Sequence, residues 1–174
     1  MKQEYTLSIF TENHIGMLHR VTIIFTRRHI NIESITASQS EVEGIHRYTI
    51  VIREELEQVQ KVVKQIEKQV DVIRAHYHKT DELIYQEIAL YKLSVSAIRD
   101  GLGIETIIRE NNARLLTIEK DHLIIEKTGH KEETAELFEK LKPFGIVEFV
   151  RSGRVAIMKD TVNEFEKLEY NEEV

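Results

Sequence analysis

The chain has 174 residues, 41% apolar and 31% charged, with a formal charge of -6 and no cysteine. No stretch approaches the roughly 18–20 consecutive apolar residues of a membrane-spanning helix, and the negative balance offers no long-range attraction to phosphate backbones or anionic lipid; neither a membrane nor a nucleic acid is expected as a partner. The missing thiols exclude disulfides, thiolate metal centres and cysteine nucleophiles, and the first residues show no signal or transit pattern, so a cytoplasmic protein beginning at Met1 is expected.

Tyr5, Leu7 and Ile9 alternate with Thr6 and Ser8, the period of a half-buried strand. A polar turn then leads through Gly16 to Met17, Leu18, Val21, Ile24 and Phe25, whose spacing predicts one apolar side of a helix. Ile35 and Ala37, and after a turn Tyr48, Ile50 and Ile52, alternate again and predict a hairpin. Leu56, Val59, Val62, Val63, Ile66 and Val70 return to helical spacing, and residues 72–77 form a further extended run. The order is βαββαβ.

Residues 78–86 read as a polar, helix-compatible connector, after which the same order starts again. Ala89, Tyr91, Leu93 and Val95 alternate as a strand, and Ile104, Ile107 and Ile108 follow the turn Asp100-Gly101-Leu102-Gly103 at helical spacing. Leu116 and Ile118, then Leu123 and Ile125, predict two strands; Leu137, Phe138 and Leu141 predict a helix closed by Pro143. Residues 146–150 and 155–157 supply the last extended segments. The fold class expected is α+β: two tandem ferredoxin-like βαββαβ modules, residues 1–78 and 79–160, followed by an acidic tail at 161–174. Antiparallel sheets of this kind have exposed edges, which pairing with a second copy hides, so a homodimer is expected.

The motifs of catalysis with clear mechanics, a phosphate-binding loop, HExxH and a GxSxG elbow, are missing. Gly101-Leu102-Gly103 begins a dinucleotide-like pattern, but position 106 is Thr and the topology is not a parallel sheet. His76 and His78 share a strand face and with Asp81 sketch a metal site; an exposed strand end is the preferred reading, and no metal is expected. Asp71, Glu82 and Glu87 are read as surface charges. The turn Glu12-Asn13-His14-Ile15-Gly16-Met17-Leu18 is more informative, because a strand-to-helix turn aims backbone N–H groups at one spot, where a carboxylate is favoured. Gly16 admits close approach, and Asn13 offers a donor and an acceptor to an amino acid. Ordinary capping explains the same residues equally well.

That turn, Arg20-Val21 and Asn31-Ile32-Glu33-Ser34-Ile35-Thr36 together resemble the small subunit of acetolactate synthase, also called acetohydroxyacid synthase (AHAS). Val70-Asp71-Val72-Ile73-Arg74, Glu87-Ile88-Ala89-Leu90-Tyr91-Lys92-Leu93 and Arg151-Ser152-Gly153 continue the likeness in order, so that it spans residues 4 to 159. The sequence departs from that family at Met17, where many members carry a small residue, and in a shorter stretch between Ser38 and His46.

The resemblance implies an amino-acid-sensing ACT domain followed by the family's C-terminal domain, and a chain with no catalytic site and no cofactor of its own. Its partner would be the catalytic large subunit, which holds thiamine diphosphate, magnesium and FAD. The small subunit would activate that partner and confer feedback inhibition by valine or another branched-chain amino acid, in branched-chain amino-acid biosynthesis. Carried over, the effector-binding residues are Asn13, His14, Ile15, Gly16, Met17 and Leu18, with Asn31 from the other protomer of a dimer formed through the ACT domain and Ile35 in an apolar wall. The rival reading is an ACT-type transcriptional or adaptor regulator, though no helix-turn-helix or basic stripe supports direct DNA contact. An RNA-binding pair of sheets lacks the required aromatic motif.

Overall fold

The structure, a computed structural model, describes residues 1–96 and 103–160. Contacts divide the chain into two compact units: Met1–Tyr85 with the described residues from Arg154 onward, and Gln86–Gly153.

In the first unit β1 (Gln3–Glu12), α1 (Met17–Arg27), β2 (Ile32–Gln39), β3 (Ile45–Glu54), α2 (Leu56–Glu67) and β4 (Val72–Lys79) follow one another. The strands lie in the order β2-β3-β1-β4, antiparallel throughout, which is the ferredoxin-like plan. The pleat sorts the side chains: Tyr5, Leu7 and Ile9 stand opposite Ile52, Ile50 and Tyr48, and all six enter the core. Met17, Val21, Ile24 and Phe25 of α1 and Val59, Val62, Val63 and Ile66 of α2 close that core from the helix side.

Two helical expectations need correction. Leu18 is 45% exposed, because it follows Met17 by only 100° of helical rotation and so leaves the buried stripe. Val70 is 77% exposed beyond the end of α2, in the turn that Asp71 makes with a left-handed φ of 72°.

The second unit repeats the plan with β5 (Leu83–Ser94, in this unit from Gln86), α3 (Ile104–Glu110), β6 (Arg114–Ile118), β7 (His122–Gly129), α4 (Lys131–Leu141) and β8 (Ile146–Arg151). Its strand order, β6-β7-β5-β8, is the same, and its core gathers Ala89, Tyr91, Leu93, Leu123, Ile125, Leu137 and Leu141. As expected, Pro143 closes α4, in a 3-10 turn over Lys142–Phe144. Gly101 and Leu102, like the acidic tail, lie outside the described residues.

The connector at residues 78–86 is not helical beyond a single 3-10 turn, Thr80–Glu82, and β5 begins at Leu83. Its partner is β9 (Val155–Met158), which pairs with β5 and groups with the first unit, not with the second module as the sequence suggested. A strand whose ladder partner lies some seventy residues away leaves no local pattern to read. No described helix is long and apolar enough to cross a membrane.

Candidate functional site

The strand-to-helix turn of the first unit is built by three constraints. Asn13 N donates to Gly44 O at 2.8 Å, tying the loop to the β2–β3 turn, and Met17 N donates to His14 O at 3.3 Å. Gly16, at φ 88°, starts α1 from the left-handed region, where an L side chain is strained. Met17 is 1% exposed and anchors the loop to the core, while Asn13, His14, Ile15 and Gly16 face solvent.

Among the described residues no side chain caps α1, and the N–H groups of Ile15 and Gly16 have no protein acceptor. The first turn of any helix adds further unpaired donors. The capping reading of Asn13 is thus set aside, and what remains is an exposed cluster of N–H groups at the positive end of a helix dipole. A carboxylate is the chemistry that such a cluster accepts.

Asn31 and Ile35 are not brought to this loop within one chain. Glu12 pairs with Ile45 at one end of β3, whereas Ile32, next to Asn31, pairs with Ile52 near the other end. The two ends are about 23 Å apart at the usual strand rise. Asn31 is exposed and its Nδ2 donates to Glu33 Oε1 at 3.3 Å. Ile35 lies opposite Ile50 on the helix side of the sheet, on edge strand β2, and is partly exposed.

Charged residues read from sequence as surface groups do more than that. Asp71 is half-buried: its Oδ2 accepts from Arg20 Nη1 at 2.7 Å, its Oδ1 lies 3.7 Å from His14 Nδ1, and its carbonyl accepts from Glu12 N at 2.9 Å. Glu87 is buried and its Oε2 lies 3.3 Å from Arg151 Nε. Glu82 Oε2 accepts from Lys79 N at 2.8 Å, closing the 3-10 turn.

His76 and His78 are half-buried rather than exposed, with ring centroids 4.9 Å apart, and His76 stacks on Phe10. Asp81 does not join them as a metal ligand among the described residues. Glu12, His14 and Asp71 do bring one ligand atom each within 4.8 Å of one another. The Arg20 guanidinium on Asp71, however, puts a positive charge beside the point where a cation would sit, which disfavours one there.

Comparison with known proteins places this geometry. A family model described as the small subunit of acetolactate synthase matches residues 86–160, and one described as the AHAS small subunit-like ACT domain matches residues 7–74. The chain is 36% identical over 162 residues to the acetolactate synthase small subunit of Bacillus subtilis, covering 92% of each protein. It is 32% identical over 155 residues to that of Mycolicibacterium smegmatis, covering 89% of this chain and 91% of the other. The crystal structure of the acetolactate synthase small subunit from Thermotoga maritima matches with a TM-score of 0.82 at 25% identity, covering 92% of this chain and 99% of that one. With both of its modules and nearly its whole length accounted for, the chain belongs to the acetolactate synthase small-subunit family.

Proposed function

We propose that this chain is the non-catalytic regulatory subunit of an acetolactate synthase: it activates the catalytic large subunit and confers feedback inhibition by valine or another branched-chain amino acid. Residues 1–78 are the sensing module, and activation runs through the second module, read as residues 79–160, whose compact unit is Gln86–Gly153. The effector's carboxylate sits on the N–H groups of residues 15, 16 and 18, with Asn13 meeting its ammonium or carboxylate through its amide. The observation that carries this reading is the uncapped start of α1, whose donors face solvent behind a glycine that leaves room for a guest.

Asn31 and Ile35 complete the site only from a second copy. β2 is an edge strand, and antiparallel pairing of two such edges about a twofold axis sets the start of one β2 beside the end of the other. That is the end of the sheet where residues 13–18 lie, since Gln39 pairs with His46 next to the β3 residue opposite Glu12. Dimerisation and effector binding are therefore one structural event in this reading.

Calorimetry with L-valine, L-leucine and L-isoleucine tests it. The wild-type chain is expected to bind at least one of them, and Asn13→Ala and Gly16→Ala to lose that binding. A Cβ built at Gly16 meets no atom within 4 Å, so Gly16→Ala costs only the left-handed backbone, about 1 kcal/mol, and the loop still folds. Its lost affinity would then report space taken from the ligand. Unchanged binding in both variants would show the site to be elsewhere, and a catalytic subunit whose turnover is indifferent to the added chain would overturn the regulatory role.

A further inference from the structure

At the base of the candidate loop four ionisable side chains from four parts of the fold form a clasp. Glu12 ends β1, His14 is in the loop, Arg20 is on α1 and Asp71 forms the turn before β4. His14 stands between two carboxylates, with Nε2 3.5 Å from Glu12 Oε2 and Nδ1 3.7 Å from Asp71 Oδ1. Arg20 Nη1 donates to the other Asp71 oxygen at 2.7 Å. Asp71 holds a left-handed φ of 72° while its carbonyl accepts from Glu12 N, so its backbone and its side chain are both tied to the loop's root. A non-glycine residue keeps such a conformation where its surroundings over-determine it.

The two contacts of His14 differ in their response to a proton. A neutral imidazole has one N–H and one lone pair, so with a carboxylate facing each nitrogen one contact must set a lone pair against negative oxygen; an imidazolium donates to both. At their observed lengths both contacts are longer than a charge-assisted hydrogen bond and have room to shorten. Arg20 already neutralises part of Asp71, and the imidazole is more than half exposed, which limits the strength of the coupling.

We infer that His14 is a proton-sensitive positioning residue for the effector loop and Asp71 its fixed counter-charge: protonated His14 draws residues 13–18 onto Asp71, and neutral His14 lets them go. The inference rests on the reading of this loop as the receptor for an amino acid's carboxylate. Two effects then act in the same direction. The protonated ring holds the N–H groups in place, and it adds a positive charge beside the position that the carboxylate would take. Effector affinity is therefore higher with His14 protonated and lower with it neutral.

The test is calorimetry on the full chain with L-valine, L-leucine and L-isoleucine in separate runs at about pH 6 and about pH 8, which bracket the ordinary imidazole range. The wild-type affinity is expected to fall about two- to fivefold between them, the span of a partly exposed ion contact. His14→Gln should bind with no such slope, Asp71→Asn should keep only the shallower slope that the ring's own charge contributes, and His14→Lys, which keeps the charge at both values, should hold the tighter affinity throughout. A slope that persists in His14→Gln assigns the proton to another group and overturns the inference. Binding without a wild-type slope also overturns it while leaving the effector site standing; no binding of any of the three at either pH defeats the effector reading and this inference together.

Discussion

Tyr91 shows how one buried polar atom ties a helix to a sheet. It stands on β5 within the core of the second unit, and its hydroxyl donates to Thr134 O, in the first turns of α4, at 2.6 Å. Tyr91→Phe keeps the ring and removes that bond, so a loss of about 1 kcal/mol is expected from the denaturant midpoint. Burial pushes the phenol up to about 12, with the Arg151 charge pulling it partly back. Because the folded value lies above the ordinary phenol value near 10, the stability this group confers is present below about pH 10 and drains away as pH rises toward the folded value. The Phe variant should lose less stability over that alkaline interval than the wild type, as followed by unfolding at a series of pH values; equal losses would remove Tyr91 from the account.

At the scale of elements, β9 is held by arginines more than by its own apolar residues, two of which, Val155 and Ile157, face solvent. Arg154, 3% exposed, donates to Thr6 Oγ1 at 3.0 Å and Glu4 Oε1 at 2.8 Å and lies 3.7 Å over the Tyr85 ring. Arg47 Nη2 donates to Ala156 O at 2.7 Å. Arg154→Ala leaves the Glu4 carboxylate with only the Thr80 hydroxyl and removes the stacked guanidinium; with Glu4 about a third exposed, the expected cost is about 2–3 kcal/mol, below that of a fully buried broken pair. Arg154→Lys should recover only part of it, since an ammonium cannot fork to two acceptors while stacking flat on a ring. Thermal and chemical unfolding of both variants measure this, and a full recovery by Lys would mean that charge alone was responsible.

For the whole molecule, the proposed regulation of a catalytic partner requires a coupling free energy between the candidate effector loop and the surface that the partner meets, typically about 1 to 3 kcal/mol. Linkage makes that coupling reciprocal: the catalytic subunit must shift the effector's affinity for this chain by the same factor by which the effector shifts the affinity between the subunits. Calorimetry of the amino acid with the chain alone and with the complex should give that equality, and unequal factors would show that a further equilibrium is involved. The two βαββαβ units were legible in the chain because periods of two and of 3.6 repeat along it wherever one face is buried, and the loop at residues 13–18 because a glycine after a polar turn leads straight into an amphipathic helix. Only the tertiary structure decided the roles of Asp71, Glu87 and Arg154, which look alike as charges in a sequence and differ in what faces them. It also decided that residues 78–86 run mostly as strand and that β9 returns to the first unit, since both depend on partners remote in the chain. Periodicity records which side of an element avoids water; it holds no information about which distant atom completes a hydrogen bond or an ion pair, and those partners are fixed only when the chain has folded.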